Sequence, residues 1–121
     1  MSLKINLREA SGVTVVELDG RITLGEAASA LRSSVKDVLA LGARRIILDV
    51  SRVSYVDSSG LGELVGVYTS VRNAGGDVKL VGVDKKLQGL LQVTKLHTIF
   101  DCYDTAEGAM HAFATASGAG A

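Results

Sequence analysis

The feature that most constrains this sequence is a change of hydrophobic period that recurs along its length. Arg45-Ile-Ile-Leu-Asp-Val50 is a nearly continuous apolar run, the pattern of a central strand buried on both faces. After it, Leu61, Leu64, Val65, Tyr68 and Val71 follow at helical spacing. Before it, Leu24, Ala27, Ala28, Leu31, Val35, Val38 and Leu39 form a second such stripe. Runs of period two cannot bury their faces as helices, nor can these stripes as strands. Strands alternating with helices imply parallel pairing through right-handed crossovers, so the sequence predicts an α/β fold.

The remaining segments fill in the order. Lys4 to Arg8 and Val13 to Leu18 alternate around Ala10-Ser11-Gly12 and read as an antiparallel strand pair. Thr23 followed by Glu26 has the spacing of a capping box for the first helix, and Gly42 is placed to close it in a left-handed cap. Ser51 to Val56 reads as a short link, and Asn73-Ala-Gly-Gly76 ends the second helix. Val78 to Val83 is a further strand, and Asp84-Lys-Lys-Leu87 opens a short third helix bearing Leu87, Leu90 and Leu91. Thr98 to Tyr103 is expected as an edge strand, and Asp104 with Glu107 repeats the capping-box spacing ahead of Met110 and Phe113. The expectation is one domain over residues 1–113: a mixed, mostly parallel sheet with an N-terminal antiparallel strand pair, covered by about four helices. The small-residue tail, 114–121, is expected to fray.

Composition removes several classes of function. With 121 residues there is room for one domain with a real core. Thirteen basic side chains balance thirteen acidic ones, which argues against bulk attraction to nucleic acid or an anionic membrane. Met1 to Arg8 lacks the apolar stretch of a secretory signal, and no window reaches a membrane span. The single cysteine, Cys102, cannot form an internal disulfide, in keeping with a reducing cytoplasm. It is expected as a packed thiol. His97, His111 and Cys102 lie at no zinc-motif spacing, so no metal site is expected. The two histidines read as solvent-facing or half-buried, and Lys85-Lys86 as a solvated face. Tyr55 and Val56 are placed either to flank the segment that follows them or to lie in the core, and the core reading is preferred.

One segment carries candidate chemistry: Asp57-Ser58-Ser59-Gly60-Leu61-Gly62, at the point where a buried strand hands over to a helix. The first amides of a helix lack internal partners and present partial positive charge. Asp57 or Ser58 suits the cap, Leu61 packs the first turn, and Gly60 and Gly62 leave room for close approach of another molecule. A phosphate-binding P-loop is absent, because no lysine occurs between Arg52 and Asp77. A dinucleotide fingerprint fails because Gly66 stands one residue late, and a nucleophile elbow fails at Val56. Gly62, Gly66 and Ser70 share one face of the second helix, as a strip for a partner or for close packing on a neighbouring element.

With Val53-Ser-Tyr-Val56 before it, this segment resembles the signature of bacterial anti-sigma-factor antagonists of the STAS domain family. The resemblance runs from about Leu3 to Phe113. It takes in Gly20, the Ile46-Ile-Leu-Asp49 strand, Gly75-Gly76 and Leu87 to Leu91. It implies a partner-switching protein that acts by binding and needs no cofactor. The unphosphorylated form would bind an anti-sigma factor that is a serine kinase, freeing a sigma factor. Phosphorylation at Ser58 would end that binding, and a metal-dependent serine phosphatase would restore it. Asp57, Ser58, Ser59, Gly60, Leu61 and Gly62 are the implied contact residues. One departure stands out: many members carry Gly-Glu-Leu-Asp after the second strand, where this chain has Gly20-Arg21-Ile22-Thr23.

Two other functions compete. STAS-like domains also serve as non-catalytic accessory subunits of membrane transport complexes, including lipid transporters, but such a subunit has less need of a phosphorylatable serine. An enzyme with Ser58 as nucleophile and Asp57 as base is the weaker case, since no histidine or lysine is placed beside them in sequence.

Overall fold

A computed structural model describes residues 3–120, with side chains described as far as residue 114. Its elements run β1 (Lys4–Ala10), β2 (Val13–Ile22), α1 (Glu26–Ala40), β3 (Arg45–Val56), α2 (Ser58–Asn73), β4 (Asp77–Val81), α3 (Lys85–Val93), a 3₁₀ turn at Leu96–Thr98, β5 (Asp101–Tyr103) and α4 (Ala106–Gly120). The strands form one sheet in the order β1-β2-β3-β4-β5. β1 and β2 pair antiparallel, and every later neighbour is parallel. The mixed sheet and its four helices are those expected. The tail expected to fray, 114–121, falls mostly outside the residues whose side chains are described.

Alternation along the strands divides the core. Val16, Leu18, Ile46, Leu48, Val78 and Leu80 face one way and pack with apolar residues of α1, α2 and α3. Their neighbours Val15, Ile47 and Val81 face the other way and meet Ala109 and Phe113 of α4. Lys79 shares that second face and is only 5% exposed. Its ammonium lies 3.2 Å from Asp101 Oδ2 and 4.7 Å from the centre of the Phe113 ring. The lysine is thus tolerated beneath α4 by an ion pair and a ring face.

Four local expectations are corrected. The link expected at Ser51 to Val56 is strand: β3 continues beside β2, with Asp19 opposite Arg52 and Ile22 opposite Val56, across irregularities at Glu17/Asp19 and Gly20/Arg21. Thr23 does not cap α1; the N-cap is Gly25 at φ 97, with no side-chain bond. The last strand is shorter than Thr98 to Tyr103, because residues 96–98 coil into the 3₁₀ turn. At α4, Thr105 rather than Asp104 supplies the capping oxygen, accepting the Gly108 amide at 3.0 Å. By contrast, Gly42 at φ 102 closes α1 as expected. Bonds from Gly42 N to Leu39 O and from Ala43 N to Val38 O make a Schellman motif.

Candidate functional site

The extension of β3 sets the position of α2. Because Val56 still pairs with Ile22, the chain leaves the sheet at Asp57, whose amide donates to Ile22 O at 3.2 Å. Asp57 is in extended conformation and is the N-cap of α2. Its carboxylate accepts the Gly60 amide at 2.7 Å through Oδ1 and the Leu24 amide at 3.1 Å through Oδ2. These bonds, Gly60's first and Leu24's next, hold the carboxyl below the usual carboxylate range. Both oxygens are engaged and the group stays ionised, so Asp57 is poorly suited to take a proton from Ser58.

Ser58 is the first residue of α2 and is exposed. Ser59 is half-buried, and Leu61 is buried in the core. Gly60 is buried too, and its bare Cα is used inside the molecule: a Cβ there would strike the carbonyl of Ile22. The close approach expected of another molecule at Gly60 is therefore already made by β2. Gly62 is exposed, with nothing within 4 Å of where a Cβ would stand. Gly66 and Ser70 are exposed as well, so this strip does not close-pack against a neighbouring element. Beside Gly66, Glu63 pairs with Arg32 of α1 through contacts of 2.6 and 3.2 Å.

Ser58 stands at the edge of a groove of about 550 Å³ between the end of β3, the start of α2 and α3. Val53, Tyr55, Leu61, Leu87 and Leu90 supply apolar walls, and Asp84 and Lys86 supply charge. Tyr55, expected in the core, is 44% exposed, because β3 outruns the helices that cover its earlier residues. The Arg21 guanidinium lies 5.0 Å from the centre of its ring. Val56 is half-buried and lines the same groove. Tyr55 and Val56 thus take the flanking place that was the second reading for them, whereas the motif alone did not reveal Leu24, Lys86 or Leu90 as neighbours of this site.

His97, His111 and Cys102 do not line this groove. His97 and His111 are exposed. Cys102, expected packed, is exposed on β5, since that strand is only three residues long and lies at the sheet edge. Partial burial, then the Asp101 charge, nevertheless push its thiol upward. Among the described residues no helix is long and apolar enough to cross a membrane.

The family model of the STAS domain matches residues 4–109. The chain belongs to the STAS domain family. Among relatives of this STAS domain, the anti-sigma-B factor antagonist of Bacillus subtilis is 32% identical over 109 residues, covering 89% of this chain and 97% of that protein. The anti-sigma F factor antagonist of Paenibacillus polymyxa is 26% identical over 110 residues, covering 91% and 94%. The solved structure of the anti-sigma factor antagonist SpoIIAA in its unphosphorylated form aligns at a TM-score of 0.71 with 21% identity, over 95% of this chain and 99% of that one. SpoIIAA of Bacillus in its phosphorylated form also aligns at 0.71, with 22% identity, over 91% and 99%. These two likenesses carry the fold.

Proposed function

We propose that this STAS domain is an anti-sigma factor antagonist that works by partner switching, with Ser58 as the switch. The unphosphorylated chain binds an anti-sigma factor of the serine-kinase type and so frees a sigma factor. Phosphorylation of Ser58 by that kinase ends the interaction, and a metal-dependent serine phosphatase reverses it. The chain acts in the cytoplasm as a ligand and a substrate, not as an enzyme, and it needs no cofactor of its own.

The observation that carries this reading is the exposure of Ser58 at the start of a helix, beside a largely apolar groove. Added phosphate brings about −1.5 to −2 charges at neutral pH. A helix N-terminus favours negative charge, so the scaffold tolerates the group. The docked surface does not, because a dianion beside ionised Asp57 must be desolvated there. A loss of about 3 kcal/mol in binding is roughly a hundredfold in affinity, enough to change occupancy. The names of the curated relatives agree with this role, and a protein of this fold has been solved in both phosphorylation states.

Incubation with the candidate kinase and ATP, followed by mass mapping of the phosphate, tests the reading. It predicts one phosphate, at Ser58, and none on Ser58→Ala. Tight binding without modification at Ser58 or Ser59 would make the chain a constitutive adaptor instead. Association with a permease and its ATPase, again without modification, would place it among transport accessory subunits.

A further inference from the structure

Two segments distant in sequence frame Ser58, and a single carboxylate holds both. Asp57 Oδ1 receives the Gly60 amide inside α2, while Oδ2 receives the Leu24 amide from the β2–α1 loop. The first bond is an ordinary helix cap. The second satisfies nothing in α2; its effect is to fix a loop that enters α1 through Gly25 at φ 97, without a side-chain cap. The residue so fixed carries an apolar side chain that is 76% exposed. Leu24 is thus held one residue from Ser58 through its backbone, while Tyr55 and Leu90 are the exposed apolar residues that line the Ser58 groove itself.

We propose that Asp57 is a positioning residue for docking: its two oxygens lock the β2–α1 loop to the start of α2 and make Leu24 part of the surface that receives the anti-sigma partner. This inference rests on the reading of Ser58 as the docking centre. The occupant is the macromolecule that covers Ser58, because the Leu24 backbone is bonded to the residue immediately before it. Fixing the loop in advance spares the partner the entropy of ordering it. Replacing the carboxylate with an amide separates the two arms. Asparagine keeps a carbonyl oxygen for Gly60 but turns an N–H donor toward the Leu24 N–H, which cannot accept it.

Two measurements on the full chain test this. In Asp57→Asn, amide hydrogen exchange at Leu24 should accelerate about tenfold, the scale of one lost bond to a charged acceptor, while the central strands keep their protection. With the kinase that modifies the wild-type chain, Asp57→Asn and Leu24→Ala should each raise the KM for Ser58 phosphorylation about tenfold, with kcat within about twofold. Leu24→Ala alters only an exposed side chain, so it reads the docking role even if Asp57→Asn loosens the helix start. Unchanged Leu24 exchange in Asp57→Asn, or an unchanged KM in Leu24→Ala, overturns this inference and leaves the switch at Ser58 standing. Failure of the wild-type chain to bind or be phosphorylated by any anti-sigma kinase overturns the switch itself, and the docking role of Leu24 with it.

Discussion

Gly60→Ala and Gly62→Ala, two residues apart on one helix, should have opposite effects on stability. At Gly60 a new Cβ would press into the Ile22 carbonyl and stand 2.8 Å from its carbon. Both contacts are backbone, so neither side can yield by rotating a side chain. The start of α2 must move off the end of β2, which costs about 1–3 kcal/mol as overpacking. That movement also stretches the bond from the Asp57 amide to Ile22 O, at a further cost of about 1 kcal/mol. The sum, about 2–4 kcal/mol, corresponds to a fall in Tm of roughly 8–16 °C at about 4 °C per kcal/mol for a domain of this size. At Gly62 the new methyl meets nothing within 4 Å, and alanine's helical propensity should add roughly 0.5–1 kcal/mol. Urea and thermal unfolding followed by circular dichroism reads both. A Gly60→Ala protein as stable as wild type would refute the claim that α2 is pressed against the backbone of β2.

Three other outcomes follow from the charged and reactive groups. The Lys79 ammonium feels burial, which lowers it, but its Asp101 hydrogen bond and the Asp77 charge outweigh this and hold it above lysine's ordinary 10.5. Its stabilising contribution is therefore complete below about pH 10.5 and fades as pH climbs through the raised folded value. Paired urea melts of wild type and Lys79→Met near and above that pH should show their difference shrinking through that alkaline range. The Asp57 carboxyl is depressed below its ordinary 3.8, so its contribution is full above that pH and disappears as acid protonates the folded form. Wild type and Asp57→Asn should accordingly converge in stability only in strong acid. Exposed Cys102, its thiol pushed above the ordinary 9.0, should be titratable by Ellman's reagent in the folded protein, but more slowly than free cysteine at pH 8. Cys102→Ser should shift stability by less than about 0.5 kcal/mol.

The parts of this fold legible in the sequence are those governed by local periodicity. The apolar run from Ile46 to Val50 is buried but for half-buried Asp49, and Leu61, Leu64 and Val71 of the α2 stripe are buried as their spacing implied, while Val65 and Tyr68 are half-buried and Val67 enters the core instead. Ser51 to Val56 looked like a link because Ser51, Arg52 and Ser54 break the run, and their strand conformation depends on pairing with a β2 tail. That pairing lies more than thirty residues away and leaves no local mark. The capping boxes at Thr23 and Asp104 failed similarly: the spacing was present, but Gly25 and Thr105 occupy the cap geometry. At the site, the motif located Asp57 and Ser58, while the groove needed α3 brought against β3. Tyr55 and Leu90 become neighbours only through that tertiary step.

On the proposed switch, the charge state of one exposed serine decides whether a partner stays bound. Titration calorimetry of an anti-sigma kinase against this chain, first unmodified and then quantitatively phosphorylated at Ser58, measures this dependence. The phosphorylated chain should bind about a hundredfold more weakly, with its circular dichroism spectrum unchanged. Equal affinity for the two forms would contradict it.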